Sequence, residues 1–177
     1  MLAKNKSGFL KSTTGYIVEI IEIIIVVFAL SWYIKAYVFH FTKINESGML
    51  PALTKNNHVF VEKLLKDQIL ARGDVVVLYG VDSKAESVRR LIGLAGEKIE
   101  IRNGFIYVNN EPLYEPYGYT PVTCDFAPVI VPQDHIFVLN DNRSDYNDSR
   151  TWGSIPKEKI IGEAQFCYWP WSQIKFL

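Results

Sequence analysis

Ile99-Glu100-Ile101-Arg102-Asn103-Gly104-Phe105-Ile106-Tyr107-Val108 is the stretch that decides the fold of this chain. Its first four residues alternate apolar and charged with period two, the mark of a strand with one buried face. A second apolar run follows, and Asn-Gly between two such runs is the strongest short signal for a tight hairpin. Working outward, Arg72-Gly73-Asp74 turns into Val75-Val76-Val77-Leu78-Tyr79, a continuous apolar run that reads as a buried strand. Val59-Phe60-Val61, Ile136-Phe137-Val138-Leu139 and Ile160-Ile161-Gly162 are further strand candidates. Glu111 to Pro132 is rich in Pro and Tyr and reads as a long excursion. The spacing and the Gly/Pro punctuation predict an all-β domain, barrel-like or sandwich-like, with no long helix and no internal repeat.

The chain has 177 residues, enough for one domain with a full core. Nineteen basic residues balance nineteen acidic ones, so no basic footprint argues for nucleic acid. The apolar excess sits between Ile17 and Phe41. A bilayer takes about 20 apolar residues to cross, which places a membrane span at residues 20–39. Glu22 and Lys35 then fall toward opposite ends, and Trp32, Tyr33 and Tyr37 suit an interfacial belt. Lys4, Lys6 and Lys11 precede the span, so the positive-inside rule keeps residues 1–19 in the cytoplasm and sends residues 40–177 outside the cell membrane. Ala29-Leu30-Ser31 has the small-x-small form of a leader cleavage site, which is the rival reading. Apolar sequence runs straight on through Trp32, Tyr33 and Ile34, and this favours an uncleaved anchor.

Cys124 and Cys167 could pair in an oxidising exterior, but two cysteines alone decide nothing. No Cys/His cluster has metal spacing, so neither a metal nor a cofactor is expected. His40, His58 and His135 are scattered and read as structural or solvated. Trp169 and Trp171 suit either the membrane surface or the core.

Several short boxes remain: Ser47-Gly48-Met49-Leu50-Pro51-Ala52-Leu53, then Val88-Arg89-Arg90-Leu91-Ile92-Gly93-Leu94-Ala95-Gly96-Glu97, then Asn140-Asp141-Asn142-Arg143 with Asp148-Ser149-Arg150. In this order, after an anchor, they resemble the bacterial type I signal peptidases of the Gram-positive kind. The resemblance covers nearly the whole chain. It implies a mainly β fold: one transmembrane helix followed by a signal-peptidase-like β-domain. The family cuts leader peptides with a Ser-Lys dyad, a variant of the hydrolase triad.

The positions that the resemblance assigns to that dyad are altered. Gly48 stands where the nucleophilic serine belongs, and glycine has no hydroxyl. Arg89 stands where the lysine base belongs, and a guanidinium does not deprotonate in a protein. Tyr146 stands where a serine orients the lysine. Asn140 replaces a glycine, and Glu46 replaces a small residue near the oxyanion hole, where a carboxylate opposes developing negative charge. The resemblance implies a structural role for Asp141, Asn142, Arg143, Asp148 and Arg150, and peptide binding along Met49, Leu50 and Pro51 by strand addition.

Three altered catalytic positions in an intact frame lead to the expectation of a homologue that is not an enzyme. It would still bind signal-peptide-like segments, or act on an active signal peptidase or the export machinery. The alternative is an active membrane endopeptidase with Ser47 as displaced nucleophile. Neighbouring side chains in an extended segment point to opposite faces, which counts against it.

Overall fold

The computed structural model describes residues 13–63, 70–81, 85–117 and 119–177. Lys4, Lys6 and Lys11 lie outside the described residues. Two units are present, residues 1–37 and residues 38–177.

The described residues of the first unit form one helix, α1 (Thr13–Tyr37). Its stretch Gly15–Tyr37 is long and apolar enough to cross a membrane. At about 1.5 Å per residue it matches a hydrocarbon core of about 30 Å. Apolar side chains cover the helix all round, with Ile23, Ile25, Val26 and Phe28 all 60% exposed or more. A water-soluble helix keeps a polar stripe instead. The helix stops at Tyr37, and Phe39 already belongs to a strand.

The second unit is built from β1 (Phe39–Lys43), β2 (His58–Glu62), β3 (Val75–Tyr79), β4 (Glu86–Gly93), β5 (Lys98–Arg102), β6 (Phe105–Val108), β7 (Glu111–Pro112), β8 (Phe126–Ile130), β9 (His135–Leu139), β10 (Ile155–Pro156), β11 (Ile160–Trp169) and β12 (Lys175–Phe176). One short helix, α2 (Ser149–Trp152), lies between β9 and β10. The larger sheet runs β1-β2-β11-β3-β4-β9-β10, with β12 added on β11, and the smaller runs β7-β6-β5-β8. The expected mainly β class therefore holds.

The hairpin that opened the reading is β5–β6, with Ile99 opposite Val108 and Ile101 opposite Ile106. Asn103 and Gly104 both have positive φ, 51° and 82°, as a two-residue type I′ turn demands. Ile99 and Ile101 are buried, while the charged residues between and around them face outward or are half-buried.

β3 shows why its run is unbroken. Val75 and Val77 pack with Met49, Leu53 and Val88 in one cluster, while Val76 and Leu78 pack with Leu91, Ile136 and Val138 in another. A strand covered on both faces has no need of alternation. β9 does the same, sending Phe137 and Leu139 into a third cluster with Ile92, Ile99 and Ile106.

The segment read as an excursion contributes structure. β7 pairs with β6 and β8 with β5, so it completes the smaller sheet. Cys124 is exposed and Cys167 buried, and both are free thiols. Trp169 and Trp171 stay out of the core at 45% and 75% exposed, and they meet edge to face.

Candidate functional site

The site lies where the larger sheet curls back on itself. Among the described residues β1 pairs only with β2, and β4 pairs with β3 through Glu86–Arg90 and with β9 only from Arg90 onward. Among the described residues, the second edge of β4 at Glu86–Arg89 therefore has no strand beside it. Side chains from β1 and the loop after it reach across instead. Glu86 is bonded to His40 at 2.9 Å and accepts from the Thr42 hydroxyl at 2.5 Å. Glu46 accepts from the Val88 backbone N–H at 3.3 Å and pairs with Arg89, whose Nη2 donates to Oε2 at 3.1 Å and whose Nη1 donates to Oε1.

Arg89 is fully buried. Its remaining donors are satisfied by backbone, Nε to the Asn147 carbonyl at 2.8 Å and Nη1 also to the Val88 carbonyl at 2.7 Å. The Trp152 ring lies 4.9 Å from the guanidinium carbon. Two departures from the family pattern, Glu46 and Arg89, thus form one bidentate ion pair.

Gly48 and Asn140 form the second linked pair of departures. A Cβ built on Gly48 would meet the Asn140 side chain, with Cγ at 2.9 Å and Oδ1 closer. Asn140 Nδ2 donates to the carbonyls of Asp145 at 3.1 Å and Asn147 at 3.3 Å, which fixes how the amide faces. Its Oδ1 is buried and, among the described residues, has no hydrogen-bond donor. The Gly48 carbonyl accepts from Asn142 N–H at 2.8 Å, so the two loops are tied at this point.

The structure brings Gly48 and Arg89 into one site through Glu46, Asn140 and the Asn147 carbonyl. It does not bring Tyr146 there. That ring is 37% exposed, packs 4.1 Å from the Arg150 guanidinium carbon and meets the Thr123 hydroxyl at 3.3 Å. Met49 is wholly buried in the core, Leu50 is half-buried and Pro51 is exposed. Ser47 is exposed, beside buried Gly48.

Behind the site stands a set of buried arginine pairs. Arg90 donates to both Asp141 oxygens at 2.7 and 2.6 Å, and its guanidinium lies 3.9 Å from the Tyr117 ring. Burial pushes the Asp141 carboxyl up, against the pull of Arg90. Burial and the neighbouring Glu115 push the Tyr117 phenol above its ordinary value. Arg143 bonds the Asn140 carbonyl at 2.6 Å and Glu115, and it is fully buried. Arg150 grips both oxygens of Asp148 at 2.9 and 2.7 Å and the carbonyls of Arg143 and Asp145 at 2.7 Å each. Asp148 in turn caps α2 and accepts from Asn140 N–H at 3.0 Å. Asn142 is tied by its N–H to Gly48. His40, Thr42, Glu86 and Asn147 were not singled out for this site by sequence. Their places depend on the curl of the sheet, for which no local pattern exists.

An apolar helix long enough to cross a membrane and a curled β-domain, in which side chains of β1 and the loop after it face an unladdered edge of β4, define the class of the molecule as a mainly β domain with one apolar helix. The family model described as "Signal peptidase, peptidase S26" matches residues 17–169. The chain is 35% identical over 153 residues to the probable signal peptidase I-2 of Synechocystis sp., covering 81% of this chain and 69% of that protein. It is 34% identical over 164 residues to the signal peptidase I of Bacillus amyloliquefaciens, covering 86% and 85%. A crystal structure of a signal peptidase I from Enterococcus faecalis V583 aligns with a TM-score of 0.49 at 27% identity, covering 54% of this chain and 97% of that one. The chain belongs to the signal peptidase I family, peptidase S26.

These relatives correct the expectation that the chain is not an enzyme. They are signal peptidases I, so the family is catalytic. The identities of Gly48, Arg89 and Tyr146 tell what those three side chains can do, and they do not decide the activity of the whole chain.

Proposed function

We propose that this chain works in signal-peptide processing at the cell membrane, holding an extended, signal-peptide-like segment in the cleft between β1 and β4. In this reading α1 is an uncleaved anchor with its N-terminus in the cytoplasm, its stretch Gly15–Tyr37 spans the membrane in place of the expected 20–39, because Phe39 already starts β1, and the β-domain lies outside. The observation that carries the reading is the pair of strand edges, Phe39–Lys43 and Glu86–Arg89, that face each other through side chains without a ladder. Such edges take an added strand through main-chain hydrogen bonds. Leu50 and Pro51, at the surface beside Gly48, are the proposed contacts from the nucleophile box. The buried arginine pairs keep the loops behind the cleft in place.

The chemistry at the centre of the cleft differs from a Ser-Lys dyad. Residue 48 offers no hydroxyl, and Arg89 is a permanent cation committed to Glu46. Peptide cleavage by this chain therefore needs a nucleophile from another position. Ser47 is exposed and adjacent, which makes it the residue to test.

The experiment uses the full chain in lipid vesicles with a preprotein whose signal peptide carries a photo-crosslinker. Crosslinks to Leu50, Pro51 or the β4 edge that an unlabelled signal peptide competes away support the reading. No competed crosslink in this region overturns it. The same mixture reports cleavage, and loss of cleavage in Ser47→Ala assigns the nucleophile to Ser47.

A further inference from the structure

Glu46 occupies a set of donors that is larger than a surface ion pair needs. Its carboxylate receives two N–H groups from Arg89 and one from the Val88 backbone. Three converging N–H donors, two of them on a fully buried guanidinium, are the usual equipment for gripping a carboxylate. The Val88 N–H is also a ladder donor of the open β4 edge, so a side chain is standing where a strand would bond. Glu46 itself keeps 29% of its side chain exposed, and the loop that carries it is not part of any strand.

The edge has a defined end. β9 takes over the ladder at Arg90, so a strand added along Glu86–Arg89 cannot run on beside β4 past Arg89. A strand added parallel to β4 must turn away or terminate there, and termination places its last carboxyl group at the donors Glu46 now fills.

We infer that Arg89 and the Val88 N–H form a binding site for the free C-terminal carboxylate of an extended peptide, and that Glu46 holds this site closed as an internal substitute. The inference rests on the proposal that peptides enter this cleft, and it adds the chemical class of the ligand's end. Glu46 competes from a very high effective concentration, because it is tethered two residues from Gly48. A peptide that ends in a carboxylate therefore binds weakly until Glu46 swings out. A peptide that ends in an amide can accept a bond at its carbonyl but brings no charge to the guanidinium.

The test compares one fluorescent hexapeptide of alternating small and apolar residues, as free acid and as C-terminal amide, on the full-length protein in detergent. Anisotropy titrations are run on the natural chain and on E46A. The expected result is that E46A binds the acid at least tenfold tighter than the amide, and at least fivefold tighter than the natural chain binds it. Where E46A does not melt cooperatively, E46Q replaces it, since it keeps the shape and gives up the charge, and the same acid-to-amide ratio decides. Equal binding of acid and amide overturns the carboxylate site and leaves peptide binding in the cleft standing. Failure of both peptides to bind any of these proteins overturns the carboxylate site and the cleft reading together.

Discussion

The side chain of Asn140 fills the space in which a side chain on residue 48 would begin, with its Cγ 2.9 Å from the position of a Cβ on Gly48. The absence of a side chain at 48 and the presence of one at 140 are thus one packing arrangement. The Gly48 backbone lies outside the left-handed region, so volume and not φ excludes a larger residue here. Gly48→Ser is expected to destabilise the domain by about 1–3 kcal/mol, the range for overpacking a filled interior. Asn140→Gly in the same chain should recover a large part of that loss. A urea double-mutant cycle measures the coupling, expected at about 1 kcal/mol or more. Additive effects would show that the two residues do not share this space.

Arg89 cannot be exchanged for lysine without loss. Lysine keeps the charge but cannot bond Glu46 through two nitrogens while also reaching the Asn147 carbonyl. Arg89→Lys is expected to cost about 2 kcal/mol, from buried acceptors left without donors. The shift in urea midpoint at constant slope checks this, and an unchanged midpoint would mean that the ion pair contributes nothing.

The parts of this fold that were readable from sequence are those governed by neighbours along the chain. Ile99 to Val108 holds its alternation and its turn within ten residues, and β5–β6 forms as the spacing predicts. The run Val75–Tyr79 was readable as a strand because both its faces are buried. β4 was harder, since its arginines are charged yet buried, and only the partners Glu46 and Asp141 explain why. Those partners lie 43 and 51 residues away. The same distance problem hid the site. Glu46, Arg89, Gly48 and Asn140 each stood out singly against the family pattern, but that they match as two complementary pairs requires the curl of the sheet. Tyr146, assigned by spacing to the orienting serine's position, carries a ring too large for a hydroxymethyl's place, and that ring faces Arg150 and Thr123.

Asp148 is the brace on which the loop around Asn140 depends. It caps α2, accepts from Asn140 N–H and receives Arg150 through two bonds, all while fully buried. Asp148→Asn replaces one acceptor oxygen with a donor facing other donors and leaves the Arg150 charge uncompensated. Breaking a buried pair from one side costs about 3–5 kcal/mol. Chemical denaturation should show a loss of that size, and amide exchange should speed up in residues 140–150 before the rest of the domain. A loss under about 1 kcal/mol would move this pair into the class of surface bridges.

Glu163 makes a pH prediction with a definite sign. Burial raises its pKa, helped by the negative charges of Asp74 and of Glu62, its partner on the neighbouring strand. Burial raises Asp74 as well. A carboxyl whose folded pKa lies above its unfolded value holds its proton more tightly in the folded state. Its ionisation therefore costs stability as pH rises from the ordinary carboxylate range through the raised folded value. Below that window the glutamate is neutral in both states and the cost is absent. Glu163→Gln removes the ionisation, so the variant should be more stable than the natural chain at pH 7, with the advantage shrinking as pH falls through the raised folded value and gone below the usual glutamate value of 4.5. Melting temperatures of both proteins between pH 4 and pH 8 test this: two parallel curves would show that Glu163 carries no such penalty, and a crossing in the opposite direction would show that its charge is held by a favourable partner.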